Sequence, residues 1–164
     1  MSLKHSSKCE TKITEVRERD IQPNAVDIRF AKAYKISPES VFTINDDEKK
    51  HHTKKEILPD SDGTFYLPAG SYEVVLLNEF EVGMEETGWV ITRSTLLRNG
   101  VSLHSGLFDS GYKGKIGLLM NVNAGPLAIK KGTAIGQYLC FAAETTHAYD
   151  GDYGEGKEHD KRYD

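Results

Sequence analysis

The sequence predicts an all-β domain, a sandwich or a barrel. Its apolar segments are short, rich in β-branched and aromatic residues, and bounded by Gly, Asn or Pro at intervals of roughly 8–12 residues. In "IQPNAVDIRFAKAYKI", residues 21–36, Val26, Ile28 and Phe30 alternate with Asp27, Arg29 and Ala31, the period of a half-buried strand. After residue 20 no segment carries three turns of amphipathic helix.

Taken in order, residues 1–20 form a polar N-terminal extension in which Ile13 and Val16 are a weak apolar pair. The β domain is expected over 21–147. Residues 45–63, "NDDEKKHHTKKEILPDSDG", are a charged insertion with little to bury. Its adjacent His51 and His52 would face opposite sides of a strand and do not stack on a helix, so a solvated loop is expected rather than a metal site. "FYLPAGSYEVVLLNEFEV" (65–82) reads as two strands joined through Pro68-Ala69-Gly70, where Pro presets φ and Gly supplies a positive one. Further strands are expected in 87–97, 114–122, 125–135 and 136–143. Residues 148–164 are rich in Gly, Asp, Glu and Lys and lack the apolar content to order themselves, so a flexible C-terminal arm is expected. Tyr149, Tyr153 and Tyr163 are unusual for a mere solubilising tail, and aromatics on a flexible arm suit closure over a flat ring.

The chain has 164 residues, enough for one core, and a formal charge of −4, which offers no global field to a polyanion. No nucleic-acid partner is therefore expected. No apolar run approaches the ~20 residues of a membrane span, and "MSLKHSSKCETK" does not resemble a secretory leader, so a cytoplasmic protein without a membrane partner is expected. Cys9 and Cys140 belong to no Cys/His cluster, and Cys140 reads as a small buried hydrophobe. There is no phosphate loop, no HExxH, no nucleophile elbow, and no zinc-deaminase pattern.

The chemistry that remains lies in short polar segments. "TRSTLLRNG" (92–100) sets Arg93 and Arg98 around the hydroxyls of Ser94 and Thr95; guanidinium forks and hydroxyls bind paired phosphate oxygens, although two surface arginines at a strand end would read the same. "GLFDSGYKGK" (106–115) holds Asp109 between Phe108 and Tyr112, either as a turn carboxylate or as a reactive one.

In their order along the chain these segments resemble the dUTPase/dCTP deaminase superfamily, most closely its archaeal-type dUTPases. "IQPNAVDIRF" is similar to the family's opening strand, "RSTLLRNG" to its Arg-Ser-Ser/Thr-x-x-Arg segment, and "GLFDSGYKG" to its Asp-x-Gly-Tyr-x-Gly hairpin. "IKKGTAIGQYLCF" resembles the Gly-x-x-Ile-x-Gln strand, and "YDGDYGEGK" the glycine- and tyrosine-bearing arm. The resemblance implies a jelly-roll or β-clip barrel, a homotrimer with nucleotide sites between subunits, and Mg²⁺-dependent hydrolysis of a deoxynucleoside triphosphate, dUTP, to dUMP and pyrophosphate.

By the same resemblance Asp109 is the base that activates water, and Tyr112 stacks beneath the deoxyribose and excludes a 2′-hydroxyl. Arg93, Ser94, Thr95, Arg98 and Gln137 bind phosphates, and Asp27 holds an arginine or a magnesium-bound water. Tyr149, Tyr153 and Lys157 belong to the closing arm, and Gly111 and Gly114 let main-chain groups approach the base. Deamination of dCTP, alone or alongside dUTP hydrolysis, is the alternative, with a diphosphatase for a modified pyrimidine nucleotide, or a non-catalytic nucleotide-binding or regulatory protein on the same fold. The deaminase branch needs a glutamate five residues past Gly114, where this chain has Leu119. His104 stands where it either contacts the base or lies on a hairpin surface. Glu155 departs from the family's arm and would need magnesium or Lys157 to offset its charge.

Overall fold

The computed structural model describes residues 2–164 as an antiparallel β structure. Its strands begin with β1 (Leu3–Lys4), β2 (Lys12–Ile13), β3 (Val26–Ile36), β4 (Thr43–Ile44), β5 (Lys49–Lys50) and β6 (Lys54–Ile57). They continue with β7 (Thr64–Leu67), β8 (Gly70–Glu81), β9 (Glu86–Thr92), β10 (Val101–His104), β11 (Lys113–Val122), β12 (Leu127–Lys130) and β13 (Ala134–Ala142). One helical turn, α1 (Ser94–Leu97), follows β9. The main sheet has nine strands in the order β1-β13-β3-β8-β11-β10, with β2 on β8, β6 on β3 and β9 on β13. Two ribbons, β12-β7 and β4-β5, complete it.

One continuous core lies inside these strands, built from Ile28 and Phe30 of β3, Tyr72 and Leu76 of β8, Ile116 and Met120 of β11, and Ile135 and Tyr138 of β13. Each such side chain stabilises the fold by about 1.5–3 kcal/mol through burial. Strand β3 is central and buried on both faces, not the half-buried strand that its alternation suggests. Its polar positions are satisfied inside the protein. Arg29 forks onto Asp20, with Nε donating at 2.9 Å, and reaches the Gly132 carbonyl at 2.6 Å. Asp27 accepts from Gln137 at 3.0 Å.

Several boundaries differ from the sequence expectation. Residues 3–4 and 12–13 of the N-terminal extension pair with β13 and β8. The charged insertion is not wholly a solvated loop: β6 pairs with β3, and Ile57 is half-buried against the core. The expected strand over 87–97 stops at Thr92 and turns into α1. The break expected at Gly136 lies at Lys131-Gly132-Thr133, and Gly136 is buried inside β13. Residues 148–164 do not hang free, because Tyr149, Asp160 and Tyr163 find buried or half-buried places on the sheet.

The N-terminal segment is held by one carboxylate. Glu86, fully buried at the start of β9, accepts from Lys4 Nζ, Thr11 Oγ1 (2.6 Å), Thr11 N (2.8 Å) and Glu10 N (2.9 Å). Burial alone would push its carboxyl up, but Lys4, Thr11 and the two amides hold it at about 2. A folded value below the unfolded one contributes stability above about pH 4.5, and that stability is lost as the pH falls toward 2. Glu86→Ala is expected to cost about 2–4 kcal/mol at pH 7, since it strands buried donors. In thermal melts the gap between wild type and variant should shrink between pH 4.5 and pH 2.

Candidate active site

The hairpin carrying Asp109 is fixed by the start of β9. Gly88 and Phe108 exchange backbone hydrogen bonds of 3.1 and 2.8 Å, Thr87 Oγ1 donates to the Phe108 carbonyl at 2.9 Å, and Ser110 Oγ donates to the Glu86 carbonyl at 2.6 Å. A turn then closes with Tyr112 N donating to the Asp109 carbonyl at 3.1 Å, and Gly111 supplies its φ of +79°. Asp109 is exposed at the tip, and among the described residues its carboxylate has no hydrogen-bond or ion-pair partner. Tyr112 is buried, and its hydroxyl donates to the Lys115 carbonyl at 2.6 Å. Burial, with smaller contributions from Asp160 and Tyr149, pushes the Tyr112 phenol up, so it stays neutral at any working pH.

These residues open into a cavity of about 470 Å³, a volume suited to a small organic ligand. Leu107, Phe108 and Leu119 give it apolar walls, and Tyr149 and Tyr153 of the arm line it with Asp109 and Tyr112. The arm is tied down by its backbone, with Tyr149 N donating to the Ser110 carbonyl (2.8 Å) and Glu155 N to the Lys113 carbonyl (2.7 Å). The Tyr149 ring meets Tyr112 edge-on at 5.5 Å. Glu155 is compensated by Lys113 at 2.8 Å, whereas Lys157 pairs with Asp150 at 3.4 Å and does not line the cavity. Gly114 does allow a close approach, but the visitor is the arm itself: a Cβ on Gly114, where φ is +141°, would fall 2.7 Å from Glu155 N.

The two insertion histidines lie between β5 and β6, outside any strand, with both rings about 6 Å from that of Phe42. His52 bonds Ser40 Oγ at 2.9 Å, and His51 lines the cavity 5.1 Å from the ring of His159. His51 is exposed, as the expected solvated loop implies, yet borders the cavity, whereas His52 is half-buried. His104 is exposed, bonds Ser102 Oγ at 3.2 Å and does not line the cavity.

A second cleft, of about 540 Å³, lies at the far end of β9. Arg17, Arg19, Arg93 and Lys131 converge there around Gln22 and Asp27. Asp27 Oδ1 is taken by Gln137, while Oδ2 has only long contacts, Arg93 and Gln22 both at 3.5 Å. Lys131 belongs to the Lys-Lys-Gly segment of "IKKGTAIGQYLCF", whereas Arg17 and Arg19 carry no pattern in the sequence until the chain folds. Ser94 and Thr95 lie on α1 with Arg98 as its C-cap, all exposed and outside this cleft.

The structure therefore brings Asp109, Tyr112, Tyr149 and Tyr153 to one cleft and Asp27 and Arg93 to another, and leaves Ser94, Thr95, Arg98 and Lys157 outside both. The two clefts share no lining residue. Phe108 is anchored at Gly88, and Arg93 lies five residues further along β9, about 16 Å at strand rise.

A third cluster, Cys9, Glu86 and Cys140, has ligand atoms within 4.8 Å of one another. Both Glu86 oxygens already accept strong donors, so this carboxylate is committed to the fold. A magnesium ion fits better beside Asp27: its loosely engaged Oδ2 can accept from a metal-bound water, and Mg²⁺ commonly keeps waters and takes its other ligands from phosphates.

Strand order and the glycine-turned hairpin define an all-β chain of dUTPase-like fold. The chain belongs to the dCTP deaminase-like family, whose model matches residues 2–143. A relative from Methanopyrus kandleri, named probable deoxyuridine 5'-triphosphate nucleotidohydrolase, is 32% identical over 85% of this chain and 91% of its own length. Its namesake in Methanocaldococcus jannaschii is 31% identical over 76% of this chain and 80% of its own. A dCTP deaminase, dUMP-forming, from Methanoregula boonei is 33% identical over 76% of this chain and 69% of its own. Among solved structures, the dCTP deaminase of Agrobacterium tumefaciens shares the fold with a TM-score of 0.58 at 16% identity, over 80% of this chain and 42% of its own. The dUTPase of Staphylococcus bacteriophage 80alpha, solved with dUpNHpp, does so with a TM-score of 0.52 at 13% identity, over 88% of this chain and 98% of its own.

The arm contact at Gly114 is directly testable. Gly114→Ala should dislodge residues 154–155, speeding amide hydrogen exchange at Glu155 by about tenfold or more while the core strands exchange at wild-type rates.

Proposed function

We propose that the chain is a Mg²⁺-dependent dUTP diphosphatase that assembles as a homotrimer. The observation that carries this reading is the unpartnered carboxylate of Asp109 beside the buried, neutral Tyr112 in a cavity of nucleoside size. Family membership and the archaeal relatives named as dUTP nucleotidohydrolases support it. A deoxynucleotide substrate implies a cytoplasmic setting, and no helix among the described residues is long and apolar enough to cross a membrane.

In this reading Asp109 accepts a proton from water, whose oxygen attacks the α-phosphorus in line as the bond to the bridging oxygen breaks and pyrophosphate leaves. Tyr112 packs under the deoxyribose and leaves no volume for a 2′-hydroxyl. Arg93, Ser94, Thr95, Arg98 and Gln137 bind the phosphates, Asp27 orients Arg93 and Gln137, and Tyr149 and Tyr153 close over the bound nucleotide. When bound, magnesium neutralises phosphate charge, with Asp27 holding one of its waters. Lys157 serves the arm through Asp150 rather than the substrate.

The separation of the two clefts supports a site shared between chains, and the family resemblance suggests that the assembly is a trimer. With about 16 Å of β9 between the anchor of the Asp109 hairpin and Arg93, one chain cannot bring its own base and its own cations to the same phosphorus. A second chain, laying its α1 and Arg93 against the first chain's cavity, can.

Asp109→Asn should lower pyrophosphate release from dUTP by about 10²–10⁴-fold while a non-cleavable analogue still binds. Ammonia release from dCTP should stay at background, because Leu119 lines the cavity with a side chain unable to carry protons. A folded chain that releases pyrophosphate from no deoxynucleoside triphosphate would overturn the reading. Light scattering should give about three times the chain mass of 18.3 kDa, and a monomer mass would overturn the shared site.

A further inference from the structure

The last residues of the C-terminal arm are captured by a receptor on the sheet. Residues 160–163 form a single 3₁₀ turn whose groups are captured individually. Tyr163 is buried and donates its hydroxyl to Glu73 Oε1 at 2.7 Å, and Arg162 Nη2 reaches both Glu73 oxygens at 2.9 and 2.7 Å. Tyr34 donates to the Arg162 carbonyl at 3.0 Å, and Lys32 to the Tyr163 and Asp164 carbonyls at 3.1 and 2.8 Å. Glu73 lies on β8, mostly buried, and is held from its other side by Lys54 of β6 at 2.9 Å. Its burial is thus offset by two cations and a phenol.

The captured turn connects directly to the arm. Asp160, itself buried, accepts from Gly154 N at 2.5 Å, where the arm crosses Lys113 and Gly114. The His159 ring packs edge-on against Tyr153 at 4.8 Å and Tyr163 at 5.9 Å. Tyr163 also fills the space over Gly117, where a Cβ would fall 2.4 Å from its hydroxyl, so it forms a wall of the Asp109 cavity.

We infer that Glu73 is a positioning residue: by holding Arg162 and Tyr163 it latches the arm over the Asp109 cavity of its own chain before substrate arrives. The inference rests on reading that cavity as the nucleotide site. An arm already seated removes part of the ordering cost of binding, so the latch acts on apparent affinity rather than on the chemical step.

Two variants of the full chain test it: Glu73→Gln, and the double variant Arg162→Ala/Tyr163→Phe, which leaves the Glu73–Lys54 pair intact. Both should speed amide exchange across residues 148–157 by about tenfold or more and raise the KM for dUTP about five- to tenfold. The kcat should stay within about twofold. A merely structural role would not produce that split. If Glu73→Gln fails to fold, the double variant carries the test, because its side chains lie outside the main core cluster. Unchanged exchange in the arm overturns the latch, and faster exchange with an unchanged KM overturns the positioning role. Absence of any deoxynucleotide turnover in wild type would count against the enzyme reading instead, with the exchange rates still deciding whether the latch exists.

Discussion

Strand β9 is the constraint on which the candidate site depends. Its first residues fix the reactive hairpin, through Glu86, Thr87 and Gly88, and its end delivers Arg93 to a different surface. A strand is a stiff spacer of about 3.3 Å per residue, so the distance between carboxylate and guanidinium is set by counting residues. Shortening it would slip the pairing of β9 with β13 and turn buried Val90 outward, so core packing protects the spacing.

That constraint shapes how charge is distributed. The one lysine lining the Asp109 cavity, Lys54, is already spent on Glu73 together with nearby Arg162, and Lys113, outside the cavity, is spent on Glu155. In the other cleft Arg17, Arg19, Arg93 and Lys131 gather around two buried carboxylates, Asp20, which Arg29 takes, and Asp27. One half of the proposed site therefore supplies a base with no competing cation, and the other supplies the positive field.

The fold class and the hairpin were legible because they rest on local rules. Period-two patterning marks β3 and β8, and Asp109-Ser110-Gly111-Tyr112 needs one positive φ that Gly111 provides. What escaped the sequence depends on pairing over long separations. Nothing near Asp20 announces that Arg29 will bury with it, and nothing in the insertion announces that Lys54 will share Glu73 with Arg162. The arm shows the limit most clearly. Its composition is that of a disordered tail, and residues 148–164 find order only because the folded sheet offers carbonyls, lysines and one carboxylate at matching positions. Composition measures what a segment can bury against itself, not against a receptor built elsewhere.

The cavity also bears on which member of the family's repertoire this chain performs. Removing an amino group from a pyrimidine ring requires a side chain that can take and return protons at the base. The apolar lining offers Leu119, Leu118 and Leu107, while Glu73, which also lines the cavity, is fully occupied by Lys54, Arg162 and Tyr163 and held below its ordinary value by them against its burial. A carboxylate stabilised in its charged form by two cations is a weak base, and protonating it would cost all of those contacts. Of the carboxylates lining the cavity, Asp160 is committed to Gly154 and His159. Asp109, at the hairpin tip, is thus the one uncommitted carboxylate among the described residues lining this cavity.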